Sequence, residues 1–180
     1  MLAAGVLLLI GGGAPAPAQP PLRAPDVRFE PTAMDVVQVM LRLARVKADD
    51  VVYDLGCGDG RIVIAAARQA GARGVCVDID PRRVAESRDN ARAAGVADLI
   101  RFRNEDLLTT SIGDATVVML FLSRRLNLDL RPKLLKELEP GTRVVSHWHD
   151  MGDWKPRETV FVSSEGYERP VHLWIVPERR

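Results

Sequence analysis

Apolar positions along this chain follow two periods that alternate. Met34–Val46 places Val36, Val37, Met40, Leu41, Leu43 and Ala44 at helical spacing, with Thr32 set to cap the helix. After the polar break at Lys47–Asp50, Val51–Leu55 is a short apolar run that reads as a buried strand. Gly56–Gly60 follows as a loop, and Arg61–Ala70, rich in Ala and Ile, as a helix ended by Gly71. The alternation repeats. Gly74–Val77 reads as a strand, Pro81–Ala94 as a helix with Pro in its first turn and Gly95 after it, and Leu99–Arg103 as a third strand. Ala115–Leu122 is apolar enough to be a central strand covered on both faces. Leu126–Leu138 is helical, and Pro132 predicts a kink there or a start near Arg131. Glu139–Gly141 is a turn, and Thr142–Trp148 a fifth strand. Thr159–Val162 and Val171–Val176 flank a polar stretch containing Gly166, the pattern of an antiparallel hairpin.

Alternating strands and helices followed by a hairpin predict one α/β domain. Its sheet is mostly parallel with an antiparallel C-terminal edge, and helices cover both faces. A chain of 180 residues suits one such domain. The N-terminus does not share the pattern. Leu2–Ile10 is apolar, Gly11–Gly13 breaks it, and Ala14–Pro25 is rich in Pro and Ala. The apolar run is shorter than the roughly 20 residues of a membrane-spanning helix, and no basic residue precedes it. Ala16-Pro17-Ala18 has the form of a signal-peptidase site. Residues 1–25 are therefore expected to be a signal-like or membrane-anchoring leader, in preference to a disordered apolar one, and residues 26–180 the folded domain. An anchored protein facing the cytoplasm is favoured over export after cleavage near Ala18.

Composition narrows the partners. The formal net charge is +1, from 25 basic and 24 acidic residues, and there is no dense Lys/Arg cluster. Nothing here recruits nucleic acid. Cys57 and Cys76 form no CxxC pair, and they read as two small buried apolar residues.

The chemistry is concentrated at three strand tips. The first strand runs into Asp54-Leu55-Gly56-Cys57-Gly58-Asp59-Gly60. Glycines allow a tight turn and close approach of backbone to a ligand, and the following helix aims free N–H groups at the same point. Those N–H groups suit a carboxylate, and Asp54 suits an ammonium; the amino-acid end of S-adenosylmethionine carries both. A dinucleotide fingerprint would need its third Gly where Arg61 stands, and no Gly-Lys-Ser/Thr follows to make a P-loop. The second strand ends in Asp78-Ile79-Asp80, an acid for ribose hydroxyls with an apolar neighbour for adenine. After the third strand, Asp106 offers an acceptor to the adenine amino group and Leu107 a backbone edge. The cofactor-binding set is thus Thr32, Asp54, Gly56, Cys57, Gly58, Gly60, Asp78, Ile79, Asp80, Asp106 and Leu107.

Val52–Val63, with its Asp-Gly-Arg-Ile-Val ending, resembles motif I of the Rossmann-like class I S-adenosylmethionine-dependent methyltransferases. With Pro31-Thr32, Leu126–Leu135, Gly141–His147 and Met151–Trp154, it is similar to a narrower subgroup. That subgroup holds small bacterial methyltransferases and the mitochondrial lysine methyltransferases of adenine nucleotide translocase and of the ATP synthase c-subunit. The resemblance implies a protein-lysine N-methyltransferase. A small-molecule or lipid methyltransferase and a non-catalytic S-adenosylmethionine-binding module are the alternatives. Trp148-His149 stands where the bacterial relatives tend to carry Asp-Phe, and Phe121 where they carry Tyr. Acceptors are expected to approach over the tips of strands four and five, near Phe121, Ser146, His147, Trp148, His149, Asp150 and Trp154. His147 or Asp150 is the candidate base, with water as the alternative proton acceptor and Phe121 beside the reacting atoms. His147-x-His149-Asp150 is a partial metal pattern that no further cluster completes, so no metal is expected.

Overall fold

The computed structural model describes residues 22–179. Helix α1 (Met34–Ala44) precedes strand β1 (Val51–Leu55), helix α2 (Arg61–Ala70), strand β2 (Arg73–Asp78) and helix α3 (Pro81–Ala93). Strands β3 (Ile100–Asn104) and β4 (Val117–Leu120), helix α4 (Arg124–Glu137), and strands β5 (Arg143–His147), β6 (Glu158–Ser164) and β7 (Tyr167–Ile175) complete it. The seven strands form one sheet in the order β3-β2-β1-β4-β5-β7-β6. Strands β1 to β5 are parallel, and β7 joins β5 antiparallel, as expected.

Side-chain alternation in the buried strands divides the core. Tyr53, Leu55, Val75, Val77, Val118 and Leu120 pack on the α4 face with Leu130 and Leu134. Val52, Val117, Met119 and Val145 pack on the other face under α1 and α2. Burying a side chain of this size contributes roughly 1.5–3 kcal/mol. An interior ion pair locks the sheet's lower edge: Arg143 pairs with Asp50 and donates to Ala44 O at the end of α1 over 2.8 Å.

Several element ends differ from the sequence reading. Thr32 does not cap α1; the cap position is Ala33, without a side-chain bond. Helix α1 stops at Ala44 because Arg45 turns left-handed with φ 50°. Strand β4 is shorter than Ala115–Leu122, since Phe121 and Leu122 leave the sheet to line the cavity described below. Helix α4 begins earlier than expected because Ser123 caps it, accepting from Leu126 N at 3.2 Å. Pro132 therefore lies inside the helix rather than at its start. The hairpin strands are longer than expected and close on Glu165-Gly166, both with positive φ. Two such residues twist with the strands, so pairing runs to Ser164–Tyr167 despite the polar sequence.

Cys57 and Cys76 are buried as expected, but they are joined in a disulfide. Their Cα atoms lie 5.3 Å apart, close enough to be bridged. Adjacent tips of β1 and β2 bring them together, and nothing in their spacing announces it. The leader reading, Leu2–Ile10 with the Ala18 site, lies outside the described residues. Among those residues, no helix is long and apolar enough to cross a membrane, and no metal-holding cluster occurs.

Candidate active site

A cavity of about 590 Å³ opens at the carboxyl ends of the parallel strands. Strand order reverses between β1 and β4, and the chain leaves the two tips in opposite directions; ligands of open α/β sheets bind at that crevice. The volume is that of a small-molecule site.

Asp54 sits at its base. Its carboxylate is fully buried, and among the described residues Oδ2 has no hydrogen-bond partner. Burial, then the charges of Asp78 and Asp59, push its pKa well above the usual carboxylate range. An orphaned buried acid facing a cavity calls for a donor, and an ammonium group supplies one. The glycine loop beside it turns through three left-handed glycines, with φ of 83°, 55° and 80° at Gly56, Gly58 and Gly60. Gly56 and Cys57 line the cavity, as do Arg61 and Ile62 of the first turn of α2. Gly58 and Gly60 stand behind the wall. Gly58 N donates to Asp78 Oδ2 over 2.9 Å, and a Cβ on Gly60 would lie 2.8 Å from Ser87 Cβ. They shape the loop rather than face the cavity.

The second and third tips complete the wall. Asp78, Ile79, Asp80, Asp106 and Leu107 all line it. Asp78 is oriented by two backbone donors, Gly58 N and Asp80 N, both at 2.9 Å. Asp80 also caps α3, accepting from Arg82 N at 2.9 Å. Thr32 lines the cavity too, and its carbonyl accepts from Arg61 Nη1 at 2.8 Å, tying the chain before α1 to the glycine loop. These residues fit S-adenosylmethionine: a buried acid for the amino group, acids at two further tips for ribose and adenine, and Ile79 beside the ring.

The sequence reading missed a strap. It began the domain at Asp26, yet Arg23–Thr32 runs along the cavity, with Arg23 among its lining residues. Arg23 grips Asp106 through two hydrogen bonds, and it also pairs with Asp26. Phe29 lies against Gly58 so closely that a Cβ there would displace its ring, and the Arg83 guanidinium sits 4.7 Å over the Phe29 ring. The Ala/Pro-rich composition gave no sign of this; a lone Arg and Phe carry no periodicity.

On the acceptor side, a smaller cleft of about 300 Å³ is lined by Glu30, Phe121, Trp148, His149, Tyr167 and Arg169. It shares Glu30 and Phe121 with the larger cavity, so the two adjoin. Of the expected acceptor residues, Phe121, Trp148 and His149 meet there. Ser146 and Trp154 do not: Ser146 is buried against Asn127, and Trp154 packs on Trp174. Asp150 lies in neither cavity. Its carboxylate accepts from Gly152 N at 2.7 Å and from Arg124 at 3.2 Å, which makes it a loop brace and not a base at the cleft. His147 is fully buried, neither ring nitrogen has a partner among the described residues, and the ring is stacked 4.1 Å from Phe121 and therefore behind the cleft wall. Burial, then the Arg169 charge, lower its pKa to about 4, so the imidazole is neutral at physiological pH. Burial also lowers the pKa of His149, which does line the cleft. Asn127, passed over in the sequence, is buried in α4 and donates to Ser146 Oγ at 3.0 Å and His149 O at 3.1 Å, fixing the loop after β5.

Known proteins resemble this chain in sequence and fold. A protein-lysine N-methyltransferase of Saccharolobus islandicus (strain REY15A) is 41% identical over 157 residues, covering 87% of this chain and 98% of that one. The Mus musculus ATP synthase c-subunit lysine N-methyltransferase is 34% identical over 155 residues, 86% of this chain and 62% of that one. The crystal structure of a Salinibacter ruber RNA methyltransferase in complex with S-adenosyl-L-homocysteine superposes with a TM-score of 0.80 at 52% identity, covering 84% of this chain and 96% of that one. Residues 54–158, from the buried acid to the start of β6, match the model of the ANTKMT methyltransferase domain. With the strand-tip acids facing one cavity, this match places the chain in the ANTKMT methyltransferase domain family, as an S-adenosylmethionine-dependent methyltransferase.

Proposed function

We propose that the acceptor is the ε-amine of a protein lysine. The observation that carries this reading is the cleft beside the cofactor cavity, with aromatic walls, the acid Glu30, and Arg169, whose charge Glu165 pairs. A lysine side chain is an apolar stem ending in a cation, and such a cleft suits both parts. The lysine methyltransferase from Saccharolobus islandicus, which the chain spans almost end to end, supports the same reading.

When bound, S-adenosylmethionine supplies an electrophilic methyl group on its sulfonium. The chain's task is to hold the amine in line and dry. Asp54, Asp78 and Asp106 fix the amino-acid, ribose and adenine ends. Phe121 lines both cavity and cleft, and the face of its ring not covered by His147 can attract a cationic group. The amine must be neutral when it attacks, so the lysine gives up its proton before transfer. His149, neutral and at the cleft, is better placed than His147 to pass the proton to water.

The Salinibacter ruber protein gives a specific reason to weigh RNA as acceptor. Near-balanced charge argues against it, because RNA affinity draws mainly on clustered Lys and Arg. The test is transfer of a labelled methyl group from S-adenosylmethionine to protein and RNA fractions of cells lacking this enzyme. Protease-sensitive label, mapped by mass spectrometry to methyl-lysine, is the expected result. Label that ribonuclease removes and protease leaves overturns the reading.

A further inference from the structure

Trp148 is the one bulky residue in the described chain with left-handed backbone beside the site, at φ 72°. That conformation costs on the order of 1–3 kcal/mol for a residue with a side chain, and it persists only where neighbours enforce it. Here the enforcing contact is a hydrogen bond from Trp148 N to Pro170 O at 2.7 Å, just past the last β5–β7 pair, His147–Val171. The strained backbone does not serve burial. The Trp148 residue is 42% exposed, and Tyr167, across the same cleft, is 65% exposed. Two exposed aromatics gain nothing for the core. The Arg169 guanidinium lies over both rings, 5.9 Å from the Trp148 centroid and 6.0 Å from that of Tyr167. It is itself tied to Glu165 at 2.7 Å. From below, the His147 ring meets Trp148 edge-on at 6.2 Å. The indole thus neighbours both Arg169 and His147 in the lining of a cleft that adjoins the cofactor cavity at Phe121.

We propose that Trp148 is a specificity-determining residue for the acceptor, its indole forming the wall along which a lysine stem lies, with Glu30 receiving the ammonium end. This rests on the lysine reading above and names the residue that selects for it. Methylene groups pack on an aromatic face, and the strained turn after β5 sets that face at the cleft. The Arg169 charge over the two rings is paired by Glu165, which leaves Glu30 as the acid lining the cleft.

The test uses the full chain and a bisubstrate probe. In the probe, the sulfur of S-adenosylhomocysteine is replaced by nitrogen and tethered through three carbons to the ε-nitrogen of N-acetyl-lysine methylamide. A second probe carries a nucleoside in place of the lysine. Dissociation constants are measured by calorimetry for wild type, Trp148→Ala, Trp148→Gly and Trp148→Phe, with melting curves to confirm folding. Wild type is expected to bind the lysine probe at least tenfold more tightly than the same compound without the lysine arm. Trp148→Ala and Trp148→Gly lose that gain, Trp148→Phe keeps most of it, and all four bind S-adenosylhomocysteine within about twofold. Glycine is the key variant, because it relieves the left-handed backbone while it removes the side chain. A gain that survives in the Ala and Gly variants overturns the role of Trp148 and leaves the lysine reading standing. No gain in wild type, or a gain with the nucleoside probe alone, overturns both.

Discussion

Arg23 holds both oxygens of Asp106, through Nε to Oδ2 at 2.6 Å and Nη2 to Oδ1 at 3.1 Å. Burial works against ionisation of Asp106, but these bonds and the Leu108 amide outweigh it and keep its pKa low. The acid assigned to adenine is therefore already engaged by the strap. Arg23→Ala is expected to speed both association and release of S-adenosylhomocysteine several-fold while shifting affinity by less than about threefold. Stopped-flow fluorescence checks this. Unchanged rates would mean that the strap is not in the entry path.

Asp54 trades stability for binding. Its folded-state pKa is raised, so the folded form holds a proton that the unfolded chain gives up. Its contribution to stability is therefore greatest at acid pH and is lost as pH rises towards the raised value. Asp54→Asn removes that cost, and the ligand-free variant is expected to be more stable than wild type at pH 8 by about 1–3 kcal/mol. The same change weakens S-adenosylmethionine binding at least tenfold, because the ammonium loses its counter-charge. Denaturant titrations at pH 5.5 and 8, with calorimetry, decide it. A variant less stable than wild type at pH 8 would show that an undetected partner already satisfies the carboxylate.

The cofactor half of the site was legible because each part is local. A strand tip, its acid and the glycines after it are contiguous, so Asp54, Asp78 and Asp106 could be placed from three short segments. The fold followed from the same alternation, and only ends set by local geometry moved, at Arg45, Ser123 and Glu165-Gly166. The acceptor half was less legible because it is assembled from distant segments. Glu30, Phe121, Trp148 and Arg169 come from four places in the chain, and no spacing rule links them. His147 and Asp150 looked like candidate bases in sequence; one is walled in behind Phe121, and the other braces a turn.

His147 gives the fold an acid-side weakness. Its pKa falls from 6.5 in the ordinary state to about 4 in the fold, so the unfolded chain binds the proton more readily. Stability from the neutral, buried form is fully present above about pH 6.5 and is lost as pH falls towards 4, by at most about 3 kcal/mol. His147→Phe is expected to flatten this slope between pH 7 and 5. Urea midpoints across that range check it. No change of slope would assign the acid sensitivity to other groups. Since His147 stays neutral from pH 6 to 8, the pH dependence of kcat/KM over that span should persist in the variant.

The Cys57–Cys76 disulfide fastens the glycine loop to β2, two residues before Asp78. It closes a loop of sequence separation 19, for which lost unfolded-state entropy amounts to roughly 3 kcal/mol. Reduction, or Cys76→Ser, is expected to lower stability by about 2–3 kcal/mol. It should also weaken cofactor binding, because Cys57 lines the cavity and its neighbour Gly58 orients Asp78. Melting curves with and without dithiothreitol measure the first effect, and calorimetry under the same conditions the second. Equal melting temperatures would mean that the two buried side chains pack equally well as thiols. Trapping free thiols in intact cells before extraction then bears on where the protein works, since a bonded pair belongs on an oxidising side of the membrane and a reduced pair in the cytoplasm.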